Sequence, residues 1–189
     1  MSPLHQTPLT IEHALLGFVR DEPLHGYEIN RRLLETPELR LVWRVKQGRL
    51  YALLSRLEEE GLLDAILEPQ DGRPPRKVYH LTSDGARAFD RWLTQPVQLP
   101  REMRLEFMLK LYFALLAGRE TALQLINGQL KICERWLATQ TGSDTPSDYA
   151  RAVRRYRRGH IEAIRDWLAQ LPAELVSRKA VVDSFTVSD

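Results

Sequence analysis

The sequence predicts a mainly α protein in which three helices lead into a β-hairpin and further helices follow. Apolar residues recur at helical spacing through most of the 189 residues. The stretch richest in strand signals, around 62–81, carries an Asp-Gly turn near its middle. Beyond a Pro-Val-Gln-Leu-Pro segment the pattern is helical throughout. Three helices, a two-stranded wing and a further helix make the order of a winged helix-turn-helix, here followed by a helical domain.

Each element has a local reason. Thr10 is suited to cap a first helix over 11–21, with Ile11, Leu15 and Phe18 on one face. Glu22, Pro23 and Leu24 interrupt it, and a second helix starts at His25 or Gly26 and reaches Glu35. Thr36 precedes Pro37, a position that disfavours helix, so the second helix ends there and 39–46 reads as a loop or short turn. A third helix covers 47–60 and stops at Gly61; Leu50, Leu53, Leu54 and Leu57 form its apolar stripe. Gly48, Ala52, Ser55 and Glu59 project the other way, with Arg49 and Arg56 on the flank of that outward face. The wing strands are expected at 62–67 and 77–81, turning at Asp71-Gly72, with Pro74-Pro75 extending the tip. Thr82 caps a fourth helix to Gln95, with Asp84 in its first turn.

The expected organisation is a winged unit over 1–95, a stiff linker at 96–100, a helical unit over 101–175 and a tail over 176–189. Within the second unit helices are expected at 101–116, broken by Gly118, at 120–139, and at 148–171, ended by Pro172, with a loop at 141–147. In 105–116 Leu105, Met108, Leu109, Leu111, Tyr112 and Leu115 are among the apolar residues that surround the helix on nearly all sides. A helix apolar all round must be covered all round. Packing against a second copy is one way to do that, and burial in a monomeric bundle is the other.

Net charge is only +2, so its distribution matters more than its sum. Residues 31–56 hold seven bases and two acids, and 72–80 hold Arg73, Arg76 and Lys77 with no acid. Positive charge thus gathers at the start of the third helix and at the wing, where such a fold meets DNA. The acids Glu58, Glu59, Glu60, Asp64 and Glu68 cluster at the far end of the third helix.

The stretches LTIEHALLGFV, HGYEINRRL, GRLYALLSRLEEEGLL and RKVYHLTSDGARAFDRWL, which span most of 9–95, resemble the PadR-type transcriptional regulators. The segment REMRLEFMLKLYFALL resembles the longer members, whose helical C-terminal domain is shared with virulence-activator-type proteins. One departure is Lys46-Gln47 before the third helix, where a serine-type cap is more usual. The resemblance implies a homodimer on double-stranded, palindromic operator DNA, with half-sites about 10 bp apart or a multiple of that. Arg49 at the helix start suits a bidentate contact to guanine, Gln47 an adenine or a phosphate, and Arg56 the backbone, with Lys46 beside them. The Tyr51 hydroxyl reaches a phosphate or its ring simply packs. Gly26 and Tyr27 open a helix whose free N–H groups suit a phosphate, or merely start that helix. Arg73, Arg76 and Lys77 are expected on phosphate or in the minor groove, or else serve as solubilising charges. Family members often sense small aromatic molecules near the dimer interface, so Trp92, Trp136 and Trp167 either line such a pocket or fill the core. The run Arg151, Arg154, Arg155, Arg157 and Arg158 reads as a solvated face, or as a contact to a partner subunit or flanking DNA.

A repressor released by a small effector is the expected function. An activator on the same scaffold and a winged helix used for protein contact are the alternatives. No G-x-S-x-G, glycine-rich phosphate loop or paired His/Cys spacing is present, so neither enzyme, metal site nor cofactor is expected. Lone Cys133, the lack of a signal-like start and the charges within 105–117 lead us to expect a cytoplasmic, non-membrane protein.

Overall fold

The computed structural model describes residues 10–70, 73–139 and 147–183, with side chains over 11–69, 75–139 and 147–175. The Thr10 cap, the Asp71-Gly72 turn, the 141–147 loop up to Pro146 and the 176–189 side chains lie outside the described residues.

A 3-10 turn, Thr10–Glu12, leads into α1, His13–Phe18, whose Ala14, Leu15, Leu16 and Phe18 are all buried. The helix is shorter than expected: it closes at Val19, whose N–H bonds to the Leu16 carbonyl. The chain then extends into a two-residue strand β1, Leu24–His25. α2, Gly26–Glu35, buries Ile29 and Leu33 and ends at extended Thr36, as the following proline demands. Pro37 then takes the first position of a helix that replaces the expected loop, α3, Pro37–Val42. Its fixed φ and missing N–H suit that position.

α4, Gln47–Glu59, buries Leu50, Leu53, Leu54 and Leu57. It ends in a Schellman arrangement: Leu62 N–H bonds to Leu57 O, and Gly61 N–H to Glu58 O, with Gly61 at φ 69. Lys46 sits at its N-cap without a side-chain cap.

The wing is longer than expected, with β2 over Leu63–Gln70 and β3 over Arg73–Leu81. β1 adds to β3 through Leu24↔Tyr79 and His25↔Val78, so the sheet has three antiparallel strands in the order β1-β3-β2. A two-residue strand is too short to show periodicity in sequence. Pro74 and Pro75 lie inside β3 but beyond its pairing with β1, where a missing N–H costs little. α5, Ser83–Thr94, is capped by Thr82, whose Oγ1 accepts from Gly85 N–H at 2.9 Å. The same hydroxyl donates to Gly61 O at 2.8 Å, tying the end of α4 to the start of α5.

Within residues 96–100 one side chain enters the core. Val97 is buried, and Gln129 holds both its N–H (2.8 Å) and its carbonyl (3.1 Å). The expected helix from Arg101 begins instead as a 3-10 turn, Pro100–Arg104, before α6, Glu106–Ala117. Gly118, at φ 120, turns the chain into α7, Arg119–Ala138. α8, Asp148–Asp183, runs through Pro172 instead of stopping there. Buried Leu168 and Leu171 before Pro172, and partly buried Leu175 after it, hold the helix to the core on both sides of the proline. A single apolar cluster joins α1 through α8.

Candidate nucleic-acid interface

The first turn of α4 presents Lys46, Gln47, Gly48 and Arg49, all exposed, while Leu50 directly after them is fully buried. The apolar stripe thus anchors the helix and leaves its start outward. Arg49 and Lys46 have no ion pair or side-chain hydrogen bond among the described residues. The free N–H groups of this turn add partial positive charge.

Arg56, two turns on, is differently placed. Its Nε donates to Glu60 at 2.9 Å and its guanidinium lies 3.5 Å from Glu12. It is thus held between two carboxylates, one at the end of its own helix and one in the turn before α1.

A second surface joins the start of α2 to the wing. A cavity of about 670 Å³ is lined by His25, Tyr27, Tyr51, Arg76, Lys77 and Tyr79 around Gly26. Tyr51 crosses so close to Gly26 that a Cβ there would lie 2.5 Å from its ring. Tyr27 is exposed beside it. Arg76 lies 3.2 Å from His25 Nε2 and also bonds to Glu68. Lys77 donates to Glu58 at 2.8 Å, which holds its ammonium pKa above the ordinary value. The acids of the far end of α4 and of β2 therefore reach the wing bases. Register explains one pair, since Glu68 stands directly opposite Arg76. His25 and Tyr79 belong to this surface although sequence reasoning did not single them out; His25 was legible only as the residue before a helix. Arg73 lies at the start of β3, with its side chain outside the described residues.

A third feature adjoins the start of α4. A cavity of about 810 Å³ lies between Trp43, Arg44, Lys46 and Arg49 on one side and Trp92 and Lys110 on the other. Of the tryptophans expected to line a ligand pocket, Trp92 lines this cavity, and Trp43 joins it. Trp136 and Trp167 do not line it: Trp136 donates to Gln98 O at 2.8 Å, and Trp167 packs edge-on against Phe107. Trp92 is buried, yet its Nε1 has no acceptor. Lys110 is buried too, with Nζ 4.8 Å from the Trp92 ring and bonded to the carbonyls of Trp92 and Gln95. Burial lowers its pKa, and Glu106 at 3.4 Å partly offsets this.

The residues expected at a dimer contact divide. Leu109 is fully buried within its own chain and is removed from that set, because it faces the core beside Phe113. Leu105, Met108, Leu111 and Tyr112 are half-buried, and Leu115 is exposed next to exposed Leu116.

Among the described residues no helix is long and apolar enough to cross a membrane, and no group of three or more His, Cys, Asp or Glu could hold a metal ion.

Residues 15–91 match the family model described as the transcriptional regulator PadR-like family. The negative transcriptional regulator PadR of Bacillus subtilis is 32% identical over 133 residues, which cover 70% of this chain and 72% of that one. The crystal structure of B. subtilis PadR in complex with operator DNA is similar at 26% identity and a TM-score of 0.45, covering 87% of this chain and 98% of that one. That of B. subtilis PadR in complex with p-coumaric acid gives 25% identity and a TM-score of 0.40 over the same shares. With a relative above 30% identity covered over more than two thirds of its length, and a winged-helix fold, this chain belongs to the PadR-like family of transcriptional regulators.

Proposed function

We propose that the chain is a sequence-specific DNA-binding repressor that acts as a homodimer and is released by a small aromatic acid. The exposed, unpaired start of α4, with Lys46, Gln47 and Arg49 side by side, carries this reading. A helix start with free N–H groups and an arginine suits the major groove. The Gly26, Tyr27 and Tyr51 surface, with Arg76 and Lys77, suits the flanking phosphates. In this reading 1–95 binds DNA, 96–100 straps the two parts together, and 101–175 serves dimerisation and effector binding. Exposed Leu115 and Leu116 support a self-contact at the end of α6. The B. subtilis relative is a negative regulator, and its structures hold operator DNA and p-coumaric acid, which supports both repression and release here. The effector's place would be the cavity beside α4, whose volume falls in the range of small-molecule sites.

Selection from a pool of random duplexes with the purified full chain tests the reading. An enriched inverted repeat is expected, since two-fold symmetry in the protein is mirrored in its site. An enriched site without repeat symmetry would count against the dimer, and no enrichment would count against sequence reading altogether.

A further inference from the structure

His25 closes β1 and is the N-cap of α2, and its half-buried ring lines the cavity around Gly26. The sheet places it there. Glu68 on β2 stands opposite Arg76 on β3, and His25 on β1 stands opposite Val78, two residues further along β3. Alternate residues of a strand share a face, so a carboxylate, a guanidinium and an imidazole form one row across three strands. Arg76 bridges the row. Its Nε and Nη2 donate to Glu68 at 3.3 and 3.2 Å, and its Nη1 lies 3.2 Å from His25 Nε2.

The partner fixes the chemistry of that last contact. A guanidinium stays charged and has donors only. His25 Nε2 therefore accepts, so in the free chain it carries no proton and the ring is neutral, with its hydrogen on Nδ1. We infer that His25 is a phosphate contact that binds DNA as an imidazolium, so that DNA binding takes up a proton at Nε2. This rests on the reading of this surface as a phosphate site, and adds to it a residue and a charge state.

A phosphodiester entering the cavity brings acceptors and negative charge. Facing an unprotonated Nε2, its oxygen would meet one acceptor with another. A proton from solvent turns Nε2 into a donor and makes the contact charge-assisted, which is stronger than the neutral bond it replaces. Arg76 is then released from His25. Its pair with Glu68 is exposed and weak, so the guanidinium turns to the same phosphate at small cost. The other titratable groups around the imidazole fit this exchange. Lys77, Tyr27 and Tyr51 line the same cavity, and Glu58 stands behind Lys77 at 2.8 Å. Burial raises the pKa of the Tyr79 phenol, which therefore stays neutral. If His25 only held Arg76 in position, the sign would reverse: protonation would remove the acceptor for Arg76 and weaken DNA as pH falls.

Anisotropy titration of the full chain with a duplex enriched by the selection above, at fixed salt and from about pH 6 to 8.5, reads this linkage. We expect affinity to rise by about tenfold as pH falls across that range. His25→Gln keeps an acceptor for Arg76 but cannot take a charge, so it should match wild type at the alkaline end and lose the rise. A scrambled duplex should show the same pH dependence with wild type, since a phosphate carries no sequence. His80→Gln, on β3 opposite Asp64, should keep the wild-type profile. Other titrating groups, Glu12 among them, change alike in wild type and His25→Gln, so the difference between the two is the readout.

A flat wild-type profile, a profile of opposite slope, or the same rise in a folded His25→Gln variant overturns the inference and leaves DNA binding standing. No binding to any duplex at low salt across the whole pH range overturns the phosphate-site reading, and the inference with it.

Discussion

Arg49 and Arg56 lie on one flank of α4, yet of the two only Arg56 is ion-paired, while Arg49 acts on Glu12 without bonding to it. Sequence spacing assigned Arg49 a base and Arg56 the DNA backbone, because it does not show that Glu12 sits beneath the helix. The two variants should therefore differ. Arg49→Ala is expected to weaken binding to the selected duplex by about 1–3 kcal/mol and to relax preference at one base position. Arg56→Ala should leave the base preference of α4 unaltered, and its main effect should fall on thermal stability. Titrating both against the duplex and a single-base variant of it checks this. Glu12 itself is 1% exposed and one of its oxygens has no partner. Burial raises its pKa above the ordinary 4.5, outweighing the pull of Arg56. The folded chain thus holds this proton more tightly than the unfolded chain. The stabilisation is complete below about 4.5 and is lost as pH rises through the raised folded value. Glu12→Gln removes that cost, so it should melt above wild type at mildly alkaline pH, with the gap closing on acidification. Melting curves across pH decide it, and a gap that widens on acidification would reverse the sign assigned here.

Among the elements, those with a long apolar stripe or a cap were legible and those fixed by tertiary contact were not. α4 follows from four leucines and Gly61, and α5 from Thr82. β1 was invisible because it exists only through Tyr79 and Val78 on β3. α3 was hidden by Pro37, read as a terminator when it is also a good first residue. The segment 96–100 read as a stiff linker from its prolines, and sequence could not show that Gln129, 32 residues away, holds buried Val97 within it. Gln129→Ala leaves the buried N–H and carbonyl of Val97 unpaired. It should cost roughly 2–3 kcal/mol, since each lost partner leaves a desolvated group. Denaturant unfolding measures this, and a loss below the error of extrapolation would show that the strap is held by apolar packing alone. Where α5 meets β2, a Cβ at Gly85 would lie 2.0 Å from Leu62 O. Gly85→Ala should therefore be among the more destabilising single changes in the winged part, because backbone has to shift to admit it.

At the scale of the whole molecule, a charge map drawn along the chain overstated the free positive charge. Lys77 and Arg76 are bases in an acid-free window, but folding sets them against Glu58 and Glu68. Exposed pairs of this kind are weak, so phosphates can replace the carboxylates at small cost. The tryptophans of the cavity beside α4 were half legible for a similar reason. Trp92 was named, but Trp43 lay in a stretch read as loop, and only the fold brings the two to one cavity. Dimerisation bears on the same scale. Replacing Leu115 and Leu116, both exposed, by Arg should shift the chain toward monomer and weaken binding to a repeat more than to a half-site. Light scattering and half-site titration read the two effects.

The most direct test of the central claim, that the start of α4 reads DNA sequence, is anisotropy titration of the full chain with a selected duplex and a scrambled one across a range of salt. The affinity for both should fall steeply with salt, because phosphate contacts release counterions. The selected duplex should bind at least about a thousandfold tighter at physiological salt. Equal, salt-sensitive binding of both would reduce α4 to a backbone contact, and no binding at low salt would contradict a DNA-reading role outright.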